Sequence, residues 1–222
     1  MRKKVSPAFV LIRSMALVSL VTALWTPAVS ASQVEPPYRV LAGPYVKKEV
    51  KEGVGHPSAR ITLKGLMIAV EFMEPAPRAA FVKSIDATMR DPFMGRPGLP
   101  EPFTTFRVTF ENRAKFDIQF QPGNVVRFSD RKTQDFPVDL TDLYRVAEQV
   151  EVSDPERMID RIAPLMFDSS TTIRKDNTVD RLLVFPPFPE KWKEIKLYFS
   201  FLQIGTETQS LSFHFHKQPL KG

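Results

Sequence analysis

Cysteine is absent from all 222 residues. That excludes a disulfide, a thiolate nucleophile, a zinc–thiolate site and the lipidated cysteine of a bacterial lipoprotein. A folded domain must then stand on its core, and 18 Phe with many Val, Leu and Ile supply one. At roughly 25 cal/mol per Å² of buried apolar surface, a chain of this length needs no covalent staple. Catalytic signatures are missing too. There is no G-x-S-x-G elbow, H-E-x-x-H pair or P-loop, and Gly53-x-Gly55 meets Ser58 where a dinucleotide fingerprint needs a third glycine. The sequence therefore supports no enzyme, although the paired acids of glycoside chemistry are recognised by geometry and not by spacing.

Long apolar runs are also lacking. Met15 to Leu24 is a run of ten residues, well short of the roughly 20 that span a bilayer. Arg2, Lys3, Lys4 and Arg13 give it a positive n-region, and Val29-Ser30-Ala31 places small residues at −3 and −1 of a cleavage site. The pattern predicts a cleavable signal peptide over residues 1–31, cut after Ala31, and hence an exported chain, periplasmic or secreted. No second spanning run follows, so no stable membrane span is expected after cleavage. Four of the 31 Lys and Arg, and no acid, lie in residues 1–31; the remaining 27 face 25 acids, a net charge of +2. The pI of 9.5 thus mostly describes the signal. No basic cluster interleaved with aromatics remains to track phosphates, and nucleic acid is not an expected partner.

What is present is strand pattern. Between Thr104 and Phe128, Phe106, Val108 and Phe110 alternate with polar residues, and Phe116, Ile118 and Phe120 resume the alternation after Glu111-Asn112-Arg113. Pro122-Gly123-Asn124 supplies a turn, because Pro fixes φ and Gly and Asn tolerate positive φ. Arg60 to Met73 is strand material around Gly65, read as a bulge or tight reversal. Arg181 to Phe185 is an apolar strand. Ile195, Leu197, Phe199 and Phe201 are expected inward with Lys196, Tyr198 and Ser200 outward, and Leu211, Phe213 and Phe215 close the sheet. Helices are expected near 76–85 and 140–166, where Ser153-Asp154-Pro155-Glu156 combines a capping box with a first-turn proline. Met158, Ile159, Ile162, Leu165 and Met166 then form an apolar stripe suited to packing on a sheet. The expected fold is all-β: an antiparallel immunoglobulin-like β-sandwich over residues 59–218 with a short helical insertion. Residues 32–58 read as an extended leader or edge strand, with Tyr45 to Val50 as the strand candidate.

Few constellations invite chemistry. His214 and His216 share a strand face at a metal-ligand spacing, but His56 is distant and no carboxylate motif completes a site, so they read as outward polar residues. Asp130, Asp135, Asp139 and Asp142 lack the calcium-loop spacing and its central glycine, and suit turns and caps. Pro186 to Pro189, PPFP, reads as a rigid crossover and less well as a polyproline ligand. Asp91 to Phe103 is a long loop carrying four prolines, in which Phe93 and Met94 are either partner anchors or fold back over an open end of the sandwich. With Trp192 just beyond the PPFP crossover, its aromatics read as covering the core edge; the alternative for Trp192 and Tyr198 is stacking on sugar rings, though two aromatics do not make a carbohydrate site.

The segment TFRVTFENRAKFDIQFQPGNVVRF, together with RLLVF at Arg181 to Phe185, resembles uncharacterised exported bacterial proteins with one immunoglobulin-like sandwich. The resemblance spans roughly Arg60 to His216 and implies fold, with no activity or site residues to transfer. Such proteins have Pro-Gly before the later strand, whereas this chain has Lys175-Asp176-Asn177-Thr178, where Asn177 is expected to take the positive φ. The functional expectation is an exported, non-catalytic binding or scaffolding domain of the bacterial cell envelope, acting through a sheet edge or the 91–103 loop. Its candidate contact residues are Phe93, Met94, Trp192 and Tyr198, and no cofactor or metal is expected. The alternative is an envelope-polymer (carbohydrate) binding module, or a hydrolase with a loop-borne site.

Overall fold

Phe106, Val108 and Phe110 alternate along one strand, Thr104–Asn112, and all three are fully buried. In the computed structural model that strand lies inside one of two stacked antiparallel sheets. The structure describes residues 38–43, 51–52, 57–95, 100–130, 133–149, 153–188 and 192–219. The expected signal peptide, the Tyr45 to Val50 strand and His56 lie outside these residues. The strands are β1 (Tyr38–Ala42), β2 (Lys51–Glu52), β3 (Ser58–Leu63), β4 (Leu66–Met73), β5 (Thr104–Asn112), β6 (Ile118–Phe120), β7 (Val125–Ser129), β8 (Thr133–Asp135), β9 (Thr171–Ile173), β10 (Thr178–Phe185), β11 (Glu194–Ile204) and β12 (Glu207–Pro219). The helices are α1 (Pro75–Ile85), α2 (Leu140–Gln149) and α3 (Pro155–Ile162).

Among the described residues one sheet has five strands in the order β10-β5-β4-β3-β2. The other has seven: β1-β12-β11, after which β11 pairs with β7 along its first half and with β6 near its end. β6 and β7 are thus one strand line broken by the 3₁₀ turn Pro122–Asn124. Inward residues of both sheets form a single core that includes Ile68, Val70, Phe106, Phe110, Leu197 and Phe213. Alternation explains most of it, and a bulge explains the exception. From Phe199 to Leu202 β11 advances three residues while β12 advances only two, from Leu211 to Gln209. The extra residue reverses the inward parity. Leu202 and Ile204 enter the core, and Phe201, expected inward, stands 66% exposed.

Turns correct other expectations. The β3–β4 hairpin turns through Lys64 and Gly65, both at positive φ, and a Cβ on Gly65 would lie 3.0 Å from the Arg113 carbonyl oxygen. Neither Gly123 nor Asn124 has positive φ; the 3₁₀ geometry makes it unnecessary. Before β10 it is Asp176, not Asn177, that takes φ +59. Phe116 lies outside β6, and its ring covers Gly205, where an added Cβ would approach it to 2.9 Å. Asn112 is the buried peg of this end. Its amide nitrogen donates to the Phe116 and Ile173 carbonyls, and its oxygen accepts from the Ala114 N–H.

The helices form a third layer on the outer face of the five-stranded sheet. A second core of Phe81, Val82, Leu143, Met158, Ile162 and others closes over Met73 of β4 and Leu182 and Val184 of β10. Asp139 caps α2 by accepting from the Asp142 N–H at 2.7 Å. Asp154, and not Ser153, caps α3, accepting from the Arg157 N–H. α3 ends at Ile162 just before Pro164, which sits in a 3₁₀ turn at Ala163–Leu165. Among the described residues no helix is long and apolar enough to cross a membrane.

Candidate functional site

The 91–103 loop is anchored by an arginine. Arg78 lies on α1 three residues before Phe81 and four before Val82, so it shares their buried face. Its Nε donates to Asp91 at 2.6 Å, while one Nη donates to Glu101 at 2.7 Å and to the Phe93 carbonyl at 3.1 Å. Burial alone would lower its pKa, but the two carboxylates outweigh that and raise it. Phe93 is correspondingly 0% exposed and meets Phe103 edge-on in the helical core. It is therefore no surface anchor in this fold, and Met94 is half-buried. The apolar loop residue and its backbone are both held inward by the Arg78 network.

A second buried arginine closes one end of the sandwich. Arg127 projects inward from β7, donating to Asp135 at 2.6 Å and to the Pro186 carbonyl at 2.8 Å. Its guanidinium lies 4.5 Å from the Phe188 ring centroid, Phe188 stacks on Trp192 at 4.2 Å, and the Lys217 ammonium sits 4.2 Å from the Trp192 and Tyr38 rings. Burial lowers the Arg127 pKa against the pull of Asp135, and lowers that of Lys217 against the field of Asp130. The PPFP stretch is thus a crossover whose described residues cap the core. Trp192 is only 4% exposed, with its faces covered by Phe188 and Lys217, so it is not available to a sugar ring. Arg78, Arg127 and Lys217 were not singled out from sequence. For Arg78 a signal existed, because its spacing places it on the apolar side of α1.

The remaining constellations dissolve into structural roles. His216 Nδ1 donates to the Gly43 carbonyl at 2.6 Å, and His214 Nε2 lies 3.4 Å from the Ser212 hydroxyl. Among the described residues no cluster of three or more His or acidic groups could hold a metal ion. Asp130 accepts from the Lys193 and Glu194 N–H groups, Asp135 serves Arg127, Asp139 caps α2 and Asp142 pairs with Arg145. They do not converge. A cleft of about 130 Å³ opens beside β10, walled by Val138, Met166 and Leu182 with Asp139 and Ser169 among its lining. The β10 edge itself is half closed: the Val138 N–H donates to the Val184 carbonyl at 2.7 Å, and Met166 bridges to Leu182. A partner strand cannot add along those residues.

The part of the five-stranded sheet's outer face that carries Arg60, Glu71, Arg107 and Asp180 is open, and so is the outer face of the seven-stranded sheet. No residue of this sheet enters the helical core. In register across it lie Phe128, Lys196 and His214, and beside them Val126, Tyr198 and Ser212. The Lys196 ammonium rests 5.7 Å from the Phe128 centroid and 5.1 Å from that of Tyr198. Lys196, Tyr198, Phe128, His214 and His216 are all half-exposed. The bulge adds Phe201 farther along β11. Of the four expected contact residues, Tyr198 alone stands on this face.

No family model matches the chain, and no curated protein does. Among solved structures, the yjhA protein from Bacillus subtilis is similar over 64% of this chain and 76% of that one, with 11% identity and a TM-score of 0.32. A likeness at that level is too slight to bear on fold or function.

Proposed function

We propose that the protein is an exported, non-catalytic binding module of the bacterial cell envelope, an immunoglobulin-like sandwich that engages its partner through the outer face of the seven-stranded sheet. One observation carries this reading. Helices cover the outer face of the five-stranded sheet around Met73, Leu182 and Val184, and the part they leave open carries the paired charges Glu71, Arg107 and Asp180, whereas the seven-stranded sheet presents Phe128, Lys196, Tyr198 and Phe201 half-exposed or exposed. Solvent-facing aromatics gathered on a rigid sheet mark recognition surfaces more often than single scattered apolar residues do. The loop route loses its support with Phe93 buried, and the strand-addition route is blocked over Leu182 and Val184 of β10. Export is supported by the n-region, apolar run and Val29-Ser30-Ala31 of the first 31 residues.

The test is site-specific photo-crosslinking in the native host, with the photoreactive residue at Tyr198 or, as a control on the helical layer, at Arg157. A discrete adduct from position 198 and none from 157 is expected, on a chain whose N-terminus is Ser32. Adducts from 157 alone would place the partner on the helices and overturn the reading. A chain retaining residues 1–31 would overturn the export step.

A further inference from the structure

The described outward positions of the open face hold two cations, Arg39 and Lys196, against one acid, Glu194. Arg39 and Leu41 point outward from β1, since Val40 and Ala42 between and beyond them are buried. Arg39 thus joins Lys196 on this side, where the imidazoles of His214 and His216 also stand, and Glu194 is in register with His216. Lys196 sits at the centre, between the Phe128 and Tyr198 rings. A charge at the centre is what protein–protein interface cores deplete. A membrane-surface element would instead carry a broad apolar face to bury in the headgroup boundary, and here only Phe201 protrudes. Rings flanked by hydroxyl and amide side chains (Ser212, Gln134) and a central cation suit sugar rings bearing carboxylates or phosphates.

Resting on the face assigned above, we infer that its ligand is an anionic polysaccharide, lying across β7, β11 and β12 with Tyr198 stacking on a sugar ring and Lys196 on an acidic substituent. Strands about 4.8 Å apart put the Phe128 to His214 row at roughly 10 Å, the length of two sugar units.

The experiment uses the purified exported chain, with oligogalacturonate as probe and its fully methyl-esterified form as the neutral counterpart. Affinity is read by calorimetry, and the footprint by hydrogen exchange. Oligogalacturonate should bind at low salt, lose about tenfold or more in 0.5 M NaCl as screening shortens to a few ångströms, and lose about tenfold with Lys196→Glu. Tyr198→Ala should weaken it similarly, and the neutral form should bind at least about tenfold more weakly. Lys196→Gln, which keeps the length without the charge, guards against misfolding of the Glu variant. Protection should fall on β11 and β12. Equal binding of the neutral form at the same footprint would overturn the anionic assignment and leave the face standing. A footprint on α3 would overturn the face as well. Binding of poly-glutamate or phosphatidylglycerol vesicles, with none of oligogalacturonate, would overturn the polysaccharide, as would no binding of any of these probes.

Discussion

Leu182 and Lys196 hold equivalent places in the two sheets. Each projects outward from a long strand whose opposite side is sandwich core, yet Leu182 lies buried beneath helices and Lys196 rests half-exposed between two rings. The strand sequences already differ accordingly. β10 ends Arg-Leu-Leu-Val-Phe, apolar on both parities, as a strand buried on both faces must be. β11 begins Glu-Ile-Lys-Leu-Tyr-Phe, apolar on one parity, as a strand with one wet face should be. The same backbone geometry thus yields a second core at Leu182 and a half-exposed surface at Lys196. What lies above the sheet decides which.

The comparison can be broken most severely at the charge that anchors the covered side. Arg78→Met strands the fully buried Asp91 carboxylate, and should cost about 3–5 kcal/mol in denaturant unfolding. Adding Asp91→Asn should recover part of that loss; no recovery would mean that packing, and not pairing, holds the loop. Leu182→Ala removes an outward side chain from the helical core and should cost about 2–5 kcal/mol by the same measurement. Tyr198→Ala and Phe201→Ser alter outward side chains of the open face and should stay within about 0.5 kcal/mol of the parent. A larger loss at these two positions would mean that the open face is itself structural.

The smallest effect sharpens the comparison through pH. Asp86 follows α1 and accepts from the Thr88 hydroxyl and N–H, with Arg161 of α3 pairing to it as well, and these bonds lower its pKa. A carboxylate whose folded pKa is depressed adds stability above its ordinary value and loses it as the pH falls through the folded value. Asp86→Asn should therefore destabilise slightly at neutral pH, and the difference should vanish in acid. A difference that persists in acid would assign the effect to geometry and not to charge.

Much of this arrangement was readable from residue pattern. Period-two alternation located β5, β11 and β12, helical spacing located the stripe of α3, and Tyr198 was correctly placed outward. The failures share one physical cause, that single residues can reverse a local pattern for reasons set elsewhere in the fold. One extra residue in β11 turned Phe201 out, and nothing in Phe-Ser-Phe-Leu-Gln-Ile marks the bulge. Phe93 does fold inward, one of its two expected readings, but what the pattern hid is the agent, Arg78, reaching the Phe93 carbonyl from another element. Trp192 covers the core edge, as the crossover reading has it, and its alternative role of stacking on sugar is closed off by Phe188 and Lys217. The buried arginines were hidden because charge argues for the surface until its partners are in place, and those partners come from other elements.

The most direct test is hydroxyl-radical footprinting of the chain, purified and then in the cell envelope to which the proposal assigns it. The account predicts that Tyr198, Phe128 and Phe201 are oxidised in the free chain and shielded in the envelope, while Phe81 and Phe93 are shielded in both. Equal oxidation of Tyr198 and Phe201 in the two states would contradict it, because the face left open by the fold would then meet nothing.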